Sequence, residues 1–212
     1  MRYTDRRHAG MLLGAAVADL DPPDPVVYAL PRGGMPVAFE VARALSCPLD
    51  VLVVRKVGVP FQPELAMGAI AEGDVVIRNE DVIDIARITG EEFEAVVAAE
   101  RRALQTRVSA YRAEGASTSP EGHTAIVVDD GLATGSTALA AIEVLKAKGA
   151  GEVWLAVPVA PRGDLGDLER RADRIVVLSR PRHFAAVGAW YRDFTQTSDQ
   201  EVRDLMAQAR LA

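Results

Sequence analysis

The stretch that most restricts what this chain can be is residues 125–142, AIVVDDGLATGSTALAAI. Residues 125–128 are short, apolar and largely β-branched, the pattern of a strand buried on both faces of a parallel sheet. The run stops at two adjacent carboxylates, Asp129 and Asp130, crosses a loop of small residues, and opens a helix near Thr137. In open α/β sheets, ligands bind beyond the carboxyl ends of the strands. A loop of Gly131, Ala133, Thr134, Gly135, Ser136 and Thr137 offers backbone N–H groups and small hydroxyls there. The helix N-terminus adds partial positive charge, so the place suits a phosphate. Asp129 and Asp130 would repel a phosphate set directly on them and suit hydroxyls or a metal ion instead. Phosphate on one side and a diol or metal on the other describes a sugar phosphate.

Two nucleotide fingerprints do not fit. The P-loop needs four residues between its glycines and a Lys before its Ser/Thr. Here three residues separate Gly131 from Gly135, and Ser136 follows with no Lys. No G-x-G-x-x-G follows any predicted strand, so a dinucleotide site of that kind is unsupported.

VVDDGLATGST resembles the 5-phosphoribosyl-1-diphosphate (PRPP) motif of the type I phosphoribosyltransferases. The resemblance implies that Asp129 and Asp130 bind the ribose hydroxyls and reach a metal through water. It implies that Ala133, Thr134, Gly135, Ser136 and Thr137 wrap the 5-phosphate. Family members acting on hypoxanthine or guanine carry an Asp just before the Thr-Gly pair. This chain has Ala133 there, as in the adenine-specific group, which argues against a hypoxanthine or guanine acceptor and removes one candidate general base.

Further along the same reading, Arg32, Gly33 and Gly34 follow a short apolar run, residues 26–30, and precede a helical stretch, residues 37–45. Two glycines let a backbone approach an anion closely, and Arg32 can fork onto phosphate oxygens. The family places its pyrophosphate loop after the first core strand, so Arg32, Gly33 and Gly34 take that role by resemblance. A second strand is expected over residues 49–54, ending at Arg55 and Lys56, and Lys56 resembles the family's basic pyrophosphate contact. Arg32 and Lys56 are the expected catalytic pair. Residues 58–74 resemble the family's flexible loop, which closes over the reacting centre and excludes water. Glu64 within it is a candidate for proton handling or metal contact. Residues 57–65, with two prolines and a glycine, are expected to be irregular, and residues 66–70 and 75–77 to form a hairpin around Glu72, Gly73 and Asp74.

Elsewhere, Ala9, Leu12, Leu13, Ala16, Val17 and Leu20 recur at helical spacing and predict an amphipathic first helix rather than a signal peptide. Thr89 with Glu92 makes a capping box, opening a helix to about Glu114 whose buried stripe is Phe93, Val96, Val97, Leu104, Val108 and Tyr111. Residues 115–122 are a connection. A helix over residues 137–148 ends at Gly149, strands are expected at 153–157 and 174–178, and Ser198 with Glu201 caps a terminal helix. Strands alternating with helices give an α/β parallel-sheet fold of the type I phosphoribosyltransferase kind, in one domain over residues 1–212. Residues 180–199 gather Phe184, Trp190, Tyr191 and Phe194. They resemble the family's hood, where Phe184, Trp190 and Tyr191 are candidate base contacts.

Composition narrows the class. A net charge of −6 counts against a dominant nucleic-acid role. The lone Cys47 cannot make an internal disulfide, which fits a reducing, cytoplasmic setting. His8, His123 and His183 have no ligand spacing. No 18-residue apolar stretch calls for a membrane span. The resemblance implies transfer of the phosphoribosyl group from PRPP to a nitrogen acceptor, a nucleobase in nucleotide salvage, with Mg²⁺ as cofactor and room for a homodimer. The competing expectation is a regulatory protein of the same fold that senses PRPP and binds nucleic acid or a protein partner.

Overall fold

Five apolar runs separated by helices pair into one parallel sheet, as buried strands with helical crossovers must. The computed structural model describes residues 2–73, 75–111, 117–163 and 165–210. The strands are β1 (Pro25–Ala29), β2 (Leu49–Val51), β6 (Thr124–Val128), β7 (Glu152–Val159) and β8 (Arg174–Ser179), in the order β2-β1-β6-β7-β8. Helix α2 (Gly34–Leu45) joins β1 to β2. Between β2 and β6 lies a separate antiparallel sheet of β3 (Val54–Val59), β4 (Gln62–Ala71) and β5 (Val75–Arg78), followed by helices α3 (Glu80–Ala86) and α4 (Gly90–Tyr111). Helix α5 (Ser136–Ala147) joins β6 to β7, α6 (Asp167–Arg171) joins β7 to β8, and α1 (Arg6–Ala18) and α7 (Asp199–Ala209) are the terminal helices. The central β6 is buried along its whole length, and Ile126 and Val128 face one apolar layer while Ala125 and Val127 face the other. That two-sided burial is why its sequence shows no alternation.

The sheet differs from the sequence expectation at residues 49–65. The expected strand over 49–54 stops at Val51, and the chain leaves the parallel sheet at Leu52 and Val53, although both are buried. A continuous apolar run cannot distinguish one strand from two strands joined by a bend. Arg55 and Lys56 therefore lie on β3, in the antiparallel sheet. Residues 57–65 are a hairpin, β3 to β4, turning at Pro60 and Phe61 rather than an irregular loop. Pairing shifts register at Gly58, where an added Cβ would sit 2.4 Å from the Pro63 carbonyl. The glycine makes that close strand approach possible, and the bulge accommodates Pro63.

The hairpin expected at residues 66–77 is present, with Asp74 outside the described residues; Glu114, the expected end of the long helix, and Gly115 also lie outside them. Helix α2 begins three residues earlier than expected, α3 and α6 have no counterpart in the sequence expectation, and the first helix buries a narrower face. Leu12 and Leu20 are exposed, whereas Gly10 and Gly14 are buried with Ala9, Leu13 and Val17. A Cβ on Gly10 would lie 2.7 Å from the Val37 carbonyl, so α1 and α2 touch backbone to backbone.

Candidate functional site

Strand order reverses between β1 and β6, and at such a switch point the loops leaving neighbouring strands diverge and open a crevice. The two loops singled out in the sequence leave these two strands side by side. Leu30 N donates to the Val128 carbonyl at 2.9 Å. Beyond it, Gly33 is the N-cap of α2, and Gly135, at φ +74°, is the N-cap of α5. Neither cap residue supplies a side-chain acceptor; Ser136 N makes only a long contact to Thr134 Oγ1, at 3.5 Å, and a helix N-terminus of this kind suits an anion. Thr134 and Ser136 add hydroxyls whose oxygens are 3.1 Å apart.

The loops are packed against each other through the acidic pair. A Cβ on Gly33 would fall 2.1 Å from Oδ2 of Asp130, and one on Gly34 would fall 2.7 Å from the Val128 carbonyl. Asp130 N donates to Oδ1 of Asp129 at 2.8 Å. Burial, and then the charge of Asp130, hold the Asp129 carboxyl well above the ordinary carboxylate range. Burial also raises Asp130, against the opposing pull of the Arg6 guanidinium. A pair of desolvated like charges is relieved by a cation or by hydroxyl donors. Among the described residues no group of three or more His, Cys, Asp or Glu side chains forms a metal cage. A hard cation such as Mg²⁺ fits this donor set only with oxygens from a ligand completing its shell.

The remaining expected residues fall around this centre. Arg32 points toward α7, 3.9 Å from Asp199, which also accepts from the Tyr111 hydroxyl. Lys56 Nζ reaches both the carbonyl and Oε2 of Glu64 across the hairpin, each at 3.2 Å. Leu30, Pro31, Lys56, Glu64 and Thr137 line one cavity of about 550 Å³, between the residues that follow β1, the hairpin and the start of α5. Of the hood aromatics, Tyr191 is buried. Its hydroxyl, pushed up by burial and so kept protonated, donates to the Asp130 carbonyl at 2.6 Å. Trp190 packs beside it in the small cluster of Tyr3, Ala9, Val187 and Leu178, and Phe184 is half-buried. Val187 and Val159 close over Gly131, where a Cβ would be 2.7 Å from Val187.

The hood is built from both chain ends. Tyr3 bridges to Tyr191, and Arg192 N and Asp193 N donate to the carbonyls of Tyr3 and Thr4. Sequence reasoning missed Arg6, whose Nε lies 2.8 Å from Oδ2 of Asp130, and Phe194's role beneath that guanidinium.

An acidic pair at a sheet switch point, flanked by two helix N-termini, places the chain among α/β proteins whose crevice is shaped for an anionic, hydroxyl-bearing ligand. The family model of the phosphoribosyl transferase domain matches residues 12–190, and the chain belongs to that family, the type I phosphoribosyltransferases. Two Mycobacterium tuberculosis proteins provisionally named phosphoribosyl transferase, from strains CDC 1551 and H37Rv, are each 48% identical over 200 residues. The match covers 94% of this chain and 45% of each relative, so the chain spans about half the length of these curated relatives. The crystal structure of the protein TT1426 from Thermus thermophilus is 42% identical, covers 98% of this chain and 99% of that one, and has a TM-score of 0.92.

Proposed function

We propose that the chain, taken over residues 1–212 as one phosphoribosyltransferase unit, transfers the 5-phosphoribosyl group of PRPP to a nitrogen acceptor and releases pyrophosphate. The observation that carries this is the packing of the Gly33–Gly34 turn directly onto Asp129 and Asp130. It juxtaposes a pyrophosphate-type turn, a diol-binding carboxylate pair and a phosphate-type loop within one crevice. In this reading residues 133–137 anchor the 5-phosphate through N–H groups and hydroxyls, and the anomeric carbon is held between the leaving group and the hood. Asp129 and Asp130 receive the ribose hydroxyls. Arg32 turns from its long contact with Asp199, and Lys56 from Glu64, to meet the developing charge on pyrophosphate. Asp129 and Asp130 would hold Mg²⁺, which would supply charge neutralisation of the leaving group when bound. Phe184 and Trp190 offer apolar surface for a flat heterocycle, while Tyr191 supports Asp130 from below.

The test is calorimetric binding of PRPP with Mg²⁺, followed by pyrophosphate release with purines, pyrimidines and other nitrogen acceptors. Binding with turnover on at least one acceptor is expected. Absence of PRPP binding would overturn the reading, and binding without release on any acceptor would favour a PRPP sensor.

A further inference from the structure

Arg6 lies ahead of the span that matches the family model, residues 12–190, and on a different element from every motif residue. Its side chain is nevertheless built into the site. Nε donates to Oδ2 of Asp130 at 2.8 Å, and Nη1 donates to the Thr195 carbonyl at 2.7 Å. The guanidinium stacks 3.8 Å above the Phe194 ring. Both partners of the ion pair are nearly buried, with side-chain exposures of 10% for Arg6 and 14% for Asp130. A buried ion pair is a weak route to stability, because desolvation consumes most of the Coulombic gain. The planar fork is instead a geometric device, one donor per partner with the plane fixed by the ring below.

We propose that Arg6 is a positioning residue for the ribose-binding carboxylate of Asp130, an inference that rests on the phosphoribosyl-transfer reading above. Three contacts fix Asp130: its N–H to Asp129, its carbonyl to Tyr191, and its Oδ2 to Arg6. Oδ2 is also pressed into the volume where a side chain on Gly33 would start. The carboxyl plane is thereby locked by Oδ2, and Oδ1 is the oxygen presented to a ribose hydroxyl. Without Arg6 the carboxylate swings about its terminal torsion, and the diol meets a disordered acceptor. Because Thr195 and Phe194 belong to the hood, the same guanidinium also sets the distance between hood and ribose site.

Calorimetric titration of Arg6→Gln and Arg6→Lys with three probes in Mg²⁺ tests this: PRPP, ribose 5-phosphate and inorganic pyrophosphate. The two ribose-bearing probes are expected to bind Arg6→Gln about 10- to 100-fold more weakly, the range seen when a support of a liganding group is removed. Inorganic pyrophosphate, which has no ribose, is expected to change less than about threefold. Arg6→Lys restores the charge without the fork and should fall between wild type and Arg6→Gln. Should Arg6→Gln not fold, Phe194→Leu leaves the ion pair and removes the stacking plane, and it should shift the same two probes in the same direction by a smaller factor. Equal losses for all three probes, or none for any, would overturn the positioning role. A wild-type protein that binds no PRPP would instead overturn the reading beneath it.

Discussion

Gly33→Ala isolates the contact on which the site depends. Gly33 sits at φ −60° and ψ −33°, which alanine adopts without strain, so the cost comes from its methyl group. That carbon would lie 2.1 Å from Oδ2 of Asp130 and 2.8 Å from its Cγ, and the carboxylate must retreat by about 1 Å to reach ordinary contact. The Arg6–Asp130 bond, now 2.8 Å, then leaves hydrogen-bonding range. A charged hydrogen bond contributes about 1.5–3 kcal/mol. Reduced freedom of the unfolded chain offsets about 0.4–1 kcal/mol of that. At about 2–4 °C per kcal/mol for a domain of this size, Tm should fall by about 1–10 °C. A displacement of about 1 Å beside the reacting centre costs on the order of 10²-fold in kcat/KM. Gly34→Ala is the control of opposite character, because its methyl would meet backbone, the Val128 carbonyl at 2.7 Å and the Asp129 Cα at 3.0 Å. Backbone cannot rotate away, so this variant should lose more stability than Gly33→Ala. Differential scanning calorimetry and pyrophosphate release on the two variants provide the comparison. Wild-type turnover and Tm in Gly33→Ala, or a more stable Gly34→Ala, would refute the packing argument.

Two further outcomes follow from the motif loop. Gly135→Ala places a non-glycine residue at φ +74°, costing about 1–2 kcal/mol, and drives its methyl to 2.6 Å from Leu168 Cδ1. It should weaken binding of inorganic phosphate and PRPP together, and unchanged phosphate binding would argue against residues 133–137 as the phosphate cradle. In Asp129→Asn the sign follows from linkage. Burial and the neighbouring charge raise the folded-state carboxyl above its unfolded value near 4, so the ionised form costs stability increasingly as pH rises past that value. The variant should melt above wild type at pH 8, converge on it toward pH 4, and lose PRPP binding, and a lower Tm at pH 8 would refute the assignment of strain to this pair.

The parallel sheet and the motif were legible because their signals are local. Residues 125–128 carry burial on both faces, and Gly135, at φ +74°, carries its own backbone requirement within the motif. The hairpin at residues 54–71 was illegible because Pro60 and Pro63 read as breakers, while the feature that admits them, the Gly58 bulge, exists only when the two strands pair. The hood aromatics could be found by composition, but not the direction in which each ring points. Tyr191 turns inward to the Asp130 carbonyl because residues 190–193 pair with Tyr3 and Thr4 at the other end of the chain.

Arg6 did leave a trace in the sequence, one that can be recognised in retrospect. It occupies the first position of α1, and the first turn of that helix holds no acidic residue and two arginines, Arg6 and Arg7. Positive charge at a helix N-terminus opposes the macrodipole. A local rule broken in this way marks a residue whose partner lies elsewhere in the fold. Each arginine has such a partner: Arg7 bonds the buried Glu40 of α2 at 2.9 Å, and Arg6 bonds Asp130, 124 residues away in sequence. The reach is short enough only because Gly10 and Gly14 let α1 lie against α2, the helix that carries Gly33 on its cap. Small residues on one helix thus bring a cation to a carboxylate on another element. The N-terminal helix, which lies largely outside the motif region, is in this way tied to the ribose end of the site.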